Sequence, residues 1–140
     1  MKARRVEGLD PKRTVGPNAA RIVRTRLEEL RSLAPAALEP GAAAAQHDLR
    51  IAAKRLRYVL EVLGFCLGAG AGPARDAAKR LQGVLGDLHD CDVMLPRAEG
   101  IESLQDLLRT RRELLFRKFV ELWRELEDGG TLVELDRFTG

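Results

Sequence analysis

Apolar residues recur along this chain at every third or fourth position, which is the spacing of a helix with one buried face. Four such stretches follow one another, and proline or glycine separates them. We predict helices over residues 17–35, 42–67, 73–95 and 101–128, and no segment has the sustained two-residue alternation of a strand. Long amphipathic helices with short connections predict an all-α fold, an antiparallel four-helix bundle.

The same pattern divides the chain into three parts. Residues 1–16 have no period and are basic, so we expect an irregular N-terminal arm. Residues 17–128 are the predicted four-helix unit, and residues 129–140 are a tail expected to add a last turn or to fray. Within the unit, the run GAGAGP at residues 68–73 is predicted to be a flexible loop, because it lacks the ending of a phosphate-binding loop.

Leucine, alanine and valine must fill most of the core, because aromatic residues make up only 4% of the chain. The predicted inward positions are Val23, Leu27, Leu30 and Ala34 in the first helix, Leu49, Ala53, Leu56, Leu60 and Leu63 in the second, Ala77, Leu81, Leu85, Leu88 and Leu95 in the third, and Leu104, Leu108, Leu115, Leu122 and Leu126 in the fourth. Gly83 and Gly86 interrupt the third helix, where each is disfavoured by ~1 kcal/mol relative to alanine. Close approach of another helix or of a ligand is a physical reason for such glycines.

The second predicted helix also carries a stripe of basic side chains beside its apolar face. His47, Arg50, Lys54 and Arg57 recur at helical spacing, roughly 120° round from the inward leucines. Arginine can grip phosphate oxygens with two parallel hydrogen bonds, and lysine acts as a point charge. We therefore predict an anion-binding groove where this helix meets its neighbours.

Other helices carry cations that are predicted to face the same groove. Arg21 and Arg24 lie on the flank of the first helix. Arg111 and Lys118 fall on the predicted buried stripe of the fourth helix, seven residues apart. Burying an unpaired cation is costly. We therefore expect these two side chains to meet a bound anion, a water-filled groove or a carboxylate of the third helix, or else to extend their aliphatic parts so that the charged ends reach solvent.

Charge is distributed unevenly, although the net charge is only +3. Residues 1–57 contain 13 lysines and arginines against 6 carboxylates, whereas residues 58–140 contain 11 against 15. A basic first part suits an acidic ligand, and a merely solvated surface is the alternative.

The two cysteines, Cys66 and Cys91, are too few for a disulfide framework, and no run approaches the ~18 apolar residues of a membrane span. We expect a cytoplasmic protein without a membrane partner.

Two alternative functions remain open at this stage. His-Asp pairs occur twice, and helical metal-dependent phosphohydrolases use such pairs; the candidate ligands of a divalent metal would be His47, His89, Asp90 and Asp106. The cations one and two turns after the first histidine oppose a dication, so we predict no metal, no cofactor and no catalytic residue. Asp90 and Asp92 point about 200° apart on a helix and are predicted to orient neighbouring arginines.

The second alternative is a nucleic-acid-binding module, although few aromatic residues are available to stack on bases.

Three stretches are similar to one known family. HDLRIAAKRLRYVLEVLGF, residues 47–65, resembles the signature of the CHAD family, the conserved histidine α-helical domain. LQGVLGDLHDCDVML resembles its second block, in which a leucine-glycine pair precedes an arginine or histidine followed by Asp-x-Asp-Val. GLDPKRTVGPNAARIVRTRLEEL and RRELLFRKFVELWREL resemble its first and fourth helical segments, so the resemblance spans nearly the whole chain.

The resemblance implies a helical bundle that binds inorganic polyphosphate through basic side chains, at polyphosphate granules and without catalysis by the domain itself. The family's histidine corresponds to His47, and a basic position of its third helix corresponds to Lys79. Arg55 also matches a basic position, but helical geometry puts it on a different side of the second helix. The predicted polyphosphate-binding residues are Arg21, Arg24, His47, Arg50, Lys54, Arg57, Lys79, Arg111 and Lys118.

Members of this family usually contain two four-helix units that face each other across a basic cleft. This sequence supplies one unit, which is half of that arrangement. A homodimer is therefore one expected way to complete the cleft, and a single unit with an open basic face is the other. Polyphosphate-metabolising enzymes are further expected partners.

Overall fold

The computed structural model describes residues 1–139, apart from the side chain of Phe138. The helices are α1 (Val15–Ala37), α2 (Ala43–Leu63), α3 (Ala71–Arg97), α4 (Glu102–Asp128) and α5 (Thr131–Thr139). Two 3-10 turns, Gly64–Cys66 and Gly68–Gly70, lie between α2 and α3. Residues 1–139 contain no strand, so the prediction of an all-α helical bundle is confirmed.

Each long helix packs against the next one along the chain. Helix α2 lies between α1 and α3, and α3 lies between α2 and α4. Helix α5 packs against α1, α3 and α4. The connections from α1 to α2 and from α3 to α4 are only a few residues long, which makes these neighbours antiparallel. Helix α3 therefore has a neighbour on each side, and its outward face borders two grooves.

The core is made mostly of leucine and alanine, as predicted. Leu27, Leu56 and Leu81 are at most 1% exposed and come from three different helices. Two aromatic residues of α4 that were not predicted to face inward also belong to the core, with Phe119 fully buried and Trp123 8% exposed. Burying such large side chains contributes strongly to stability, so α4 is held chiefly by its second half.

The C-terminal stretch, which was predicted to add a last turn or to fray, forms the nine-residue helix α5. Leu132 and Leu135 are at most 1% exposed and join the core between α1, α3 and α4. A helix of nine residues is marginal alone in water, so burial of its apolar face supplies most of its stability.

The ends of three helices also differ from prediction. Helix α2 ends at Leu63 instead of residue 67, and a 3-10 turn follows it. Pro35 lies inside the last turn of α1, which continues to Ala37. Helix α3 begins at Ala71, within the segment predicted to be a flexible loop. Ala71 and Ala74 are buried against the core, so tertiary packing stabilises a helical start that the local glycines disfavour.

Helix α4 turns its buried face away from Arg111 and Lys118, so the prediction that they lie on the buried stripe is wrong. Both residues are exposed, and Arg112 is the partly buried cation. Leu115, Leu122 and Leu126 are buried as predicted, but Phe119 and Trp123 are buried as well and widen the inward face on the side of Arg112. At 100° per residue, Arg111 and Lys118 lie roughly 60–80° from the centre of this face, which places them on its opposite flank.

The N-terminal arm lies against α1 and α2. The backbone amide of Arg4 donates to the carboxylate of Glu29 at 2.6 Å. Arg26 donates to the carbonyl of Arg4, and Arg55 donates to the carbonyl of Met1, each at 2.7 Å. Arg55 therefore faces away from α3, as helical geometry predicted. Among the helices within residues 1–139, none combines the length and the apolar composition that a bilayer crossing requires.

Candidate functional site: a cationic cleft between α2 and α3

A cleft of ≈ 350 Å³ opens between the outward edges of α2 and α3, and we call it the α2/α3 cleft. Its lining residues are Arg50, Arg57, Lys79, Gln82, Gly83, Gly86, Asp87 and Asp90. Arg50 and Arg57 reach it from α2 because they lie two turns apart on one side of that helix. Lys79 reaches it from the wall formed by α3, so the structure brings these three predicted residues together.

Arg50 and Lys79 are unpaired within the described part of the chain. Neither is among the cations that form an ion pair with a carboxylate in residues 1–139. Asp87 and Asp90 line the same cleft without pairing with them. The donors of both cations are therefore available to an anionic ligand.

Arg57 is held in position by residues around it. Its guanidinium donates to Oε1 of Gln82 at 2.8 Å, which connects α2 to α3. The guanidinium also lies over the ring of Tyr58 at 4.7 Å, and its Nε is 3.3 Å from the carboxylate of Glu61. That Nε is buried and has no hydrogen-bond partner, since the contact with Glu61 lacks hydrogen-bond geometry. Arg57 is therefore held in one orientation at the edge of the cleft, with its Nε buried beside Glu61.

Lys54 lies on the exposed side of the same helix and does not line the cleft. Its ammonium group is 5.7 Å from the centre of the Tyr58 ring, which is a cation–π contact at an exposed site. No carboxylate of residues 1–139 pairs with Lys54. The structure therefore places this cation near Arg57, at the outer edge of the cationic stripe.

The two histidines of the chain stack on each other between α2 and α3. The ring centres of His47 and His89 are 4.6 Å apart, with 30° between the planes. Nδ1 of His47 is buried and has no hydrogen-bond partner among the described residues. His89 was predicted only as a candidate metal ligand, and its pairing with His47 was not predicted. The sequence signal that could have placed His89 on the cleft side of α3 was its helical spacing from Lys79 and Gly86.

The ligand set of the phosphohydrolase alternative is not brought together. Within residues 1–139, no three or more His, Cys, Asp or Glu side chains are grouped so that they could hold a metal ion. Asp106 is instead 3.5 Å from Arg109 on the exposed face of α4. Asp92 accepts hydrogen bonds from Arg112, as predicted for an acid that orients an arginine.

Arg21 and Arg24 are not brought into the α2/α3 cleft. Arg21 lines a separate cleft between the N-terminal arm and α1, where its guanidinium lies against Gly8. Arg24 forms an exposed ion pair with Glu28, at 3.3 Å. The side of α1 that faces α2 carries Glu29, so the arginine flank of this helix points elsewhere.

Lys118 and Arg111 also lie outside the α2/α3 cleft. Lys118 lines a groove between α3 and α4, which we call the α3/α4 groove and which shares Gly83 and Asp87 with the α2/α3 cleft. This groove contains more carboxylates than cations, so it suits an anion less well. Arg111 lies beside Cys91; burial raises the pKa of that thiol, and the guanidinium partly opposes the rise.

Gly83 and Gly86 form part of the cleft surface on α3. At Gly83, a Cβ would meet no atom within 4 Å, and the position is exposed. At Gly86, a Cβ would lie 3.6 Å from Nε of Arg50, which is an ordinary contact. A glycine inside a helix costs about 1 kcal/mol, and packing of the described chain does not require one at Gly83.

Of three comparisons with known proteins, one found a match. A family model described as CHAD domain matches residues 3–99, which is more than half of the chain. The matched range contains every residue that lines the α2/α3 cleft. A search of curated proteins found no match, and a search of solved structures found none either. On the strength of the family match, the chain belongs to the CHAD family.

Proposed function

We propose that this protein is a non-enzymatic binding module for inorganic polyphosphate and that the α2/α3 cleft is its binding site. The observation that carries the proposal is the presence of unpaired Arg50 and Lys79 on the two walls of one cleft, next to Arg57. Membership of the CHAD family is consistent with polyphosphate-related binding.

The side chains of the cleft suit a chain of phosphoryl groups. Arg50 can donate two parallel hydrogen bonds to the oxygens of one phosphoryl group, and Lys79 can neutralise the next as a point charge. Arg57 is oriented by Gln82 and by the Tyr58 ring, which reduces the conformational entropy lost on binding. Three cations and two carboxylates line the cleft, so direct contacts must supply the affinity, because the net charge is small.

The test is a titration of long-chain polyphosphate into the wild-type protein and into the double variant Arg50→Ala/Lys79→Ala. We expect the double variant to bind at least about tenfold more weakly, because each charge-assisted hydrogen bond contributes about 1.5–3 kcal/mol. The matched control is Arg24→Ala/Arg109→Ala, which removes the same charge from two exposed ion pairs elsewhere.

Equal losses in the two double variants would contradict the proposed site, since only net charge would then matter. Equal affinity of the wild-type protein for RNA at matched salt would contradict polyphosphate as the ligand and favour a nucleic-acid module. Phosphate release from polyphosphate would contradict the non-enzymatic assignment, and a colorimetric phosphate assay on the same samples detects it.

Three further expectations stay predictions from the family resemblance. They are pairing of two copies across a shared cleft, recruitment to polyphosphate granules in the cytoplasm, and association with polyphosphate-metabolising enzymes. Light scattering after gel filtration, with and without polyphosphate, tests the first of them.

A further inference from the structure

The outward surface of α3 contains a glycine that the fold itself does not need. Gly83 is exposed, it lies in the middle of a helix, and a Cβ there would meet no atom within 4 Å. Glycine is the least favourable residue for such a position apart from proline, because it loses the most backbone freedom. Alanine would fit without strain, so the reason for glycine lies outside the packing of this chain.

The surroundings of Gly83 point to a ligand. It lines the α2/α3 cleft together with Lys79, one turn earlier on α3, and Arg50 on the facing wall. Both of these cations are unpaired in the described chain. Because Coulomb attraction rises as distance falls, a ligand that can sit low on α3 interacts more strongly with these two side chains.

We propose that Gly83 is an affinity-determining position of the polyphosphate site, where the missing side chain leaves a shelf on which a chain of phosphoryl groups lies between Lys79 and Arg50. The inference rests on the proposed function, since it assigns to this residue a steric role in the same cleft. Gly86 continues the shelf towards α2, where it lies beside Nε of Arg50. Linear polyphosphate suits such a shelf because it has no sugar or base between successive phosphoryl groups.

The experiment compares Gly83→Ala and Gly83→Leu with matched controls at Gly72. Gly72 is also an exposed glycine of α3 with no atom within 4 Å of its Cβ position, but it lies outside the α2/α3 cleft. Alanine and leucine are strong helix formers, so both Gly83 variants are expected to fold. Gly72 precedes Pro73, which disfavours a helical backbone for a residue with a Cβ, so circular dichroism first measures the helix content of the Gly72 variants. Thermal unfolding and titration with long-chain polyphosphate are measured on each variant.

We expect Gly83→Ala to unfold at a higher temperature than the wild-type protein and yet to bind more weakly. Gly83→Leu should bind polyphosphate about tenfold more weakly, because the larger side chain should prevent one charge-assisted hydrogen bond to a phosphoryl oxygen. The Gly72 variants should bind as the wild-type protein does. Opposite movements of stability and affinity at Gly83 alone would support the shelf, because simple damage to the fold lowers both.

Wild-type affinity in Gly83→Leu, together with weak binding by Arg50→Ala/Lys79→Ala, would overturn the role of Gly83 and leave the proposed function standing. Equal losses in Gly72→Leu and Gly83→Leu would also overturn it, since the effect would then belong to α3 as a whole. Failure of the wild-type protein to bind polyphosphate would instead reject the proposed function itself.

Discussion

The guanidinium of Arg112 donates to Oε1 of Gln46 at 2.7 Å and thereby ties α4 to the first turn of α2. Gln46 is only 2% exposed, and its amide nitrogen donates to the carbonyls of Glu39 and Pro40 in the connection before α2. Arg112 also donates to the carboxylate of Asp92 on α3 and to the carbonyl of Pro40. One arginine therefore links three helices and a turn at the end of the bundle where the cleft-forming helix α2 begins.

We expect Arg112→Ala to lower the free energy of unfolding by about 3 kcal/mol, because it leaves Gln46 and Asp92 without their partner in a partly buried site. Urea denaturation measures the loss. The control is Arg109→Ala, whose ion pair with Asp106 is exposed and should be worth less than about 0.5 kcal/mol. Similar losses in both variants would show that the Arg112 network does not stabilise the fold.

Polyphosphate binding should weaken as salt is added, because binding releases counterions from the phosphoryl chain. We expect Arg50→Ala/Lys54→Ala to bind more weakly and to have a shallower salt dependence, with unchanged helicity by circular dichroism. Most of the loss should come from Arg50, since Lys54 lies outside the cleft beside Tyr58. Calorimetric titrations at two salt concentrations test this, and an affinity that ignores salt would contradict electrostatic binding.

Neutralising a carboxylate of the cleft should have the opposite effect. Asp87 is exposed at the boundary of the α2/α3 cleft and the α3/α4 groove, and it repels an anion there. We expect Asp87→Asn to strengthen polyphosphate binding by about threefold, as for removal of one repulsive charge in water. Glu113→Gln on the exposed side of α4 removes the same charge away from the cleft and should change affinity less. Weaker binding by Asp87→Asn would mean that this carboxylate supports the ligand.

The N-terminal arm should detach when Glu29 is removed. The side chain of Glu29 is 5% exposed, and its carboxylate oxygens lie 3.3 Å from the guanidinium groups of both Arg26 and Arg55. We expect Glu29→Ala to cost about 3 kcal/mol, because two partly buried guanidinium groups lose their partner. Limited digestion with trypsin should then cleave faster after Arg4 and Arg5. Glu28→Ala, which breaks only an exposed pair, is the control, and equal cleavage rates would contradict the role of Glu29.

The two cysteines should differ in reactivity. Cys91 is 2% exposed, and burial raises the pKa of its thiol, so little thiolate forms in the native protein at pH 8. Iodoacetamide should therefore modify the less buried Cys66 first and reach Cys91 only when urea unfolds the chain. A raised pKa in the folded state also means that Cys91 contributes stability below its ordinary pKa and loses it as pH rises through the raised value. Equal alkylation rates of Cys66 and Cys91 in the folded protein, measured by mass spectrometry, would contradict the burial of Cys91.

Much of the fold follows from spacing alone. Apolar residues three and four apart specify helices and their inward faces, because a side chain's direction on a helix depends only on its position in the repeat. The cationic side of α2 could be predicted for the same reason, and so could the separation of Arg55 from Arg50 and Arg57. Family membership could also be predicted, because the α2 segment is a continuous and distinctive stretch of sequence.

Only the tertiary structure decided which helix sides face each other. Arg21 and Arg50 both lie on cationic stripes, yet they line different clefts, because the side of α1 next to α2 carries Glu29. Arg112 rather than Arg111 turns inward, because burial of the large side chains Phe119 and Trp123 rotates the inward face of α4 towards Arg112. Helix α5 likewise depends on burial of its leucines by distant helices. Periodicity is a local property of the chain, whereas the pairing of surfaces depends on the packing of residues far apart in sequence.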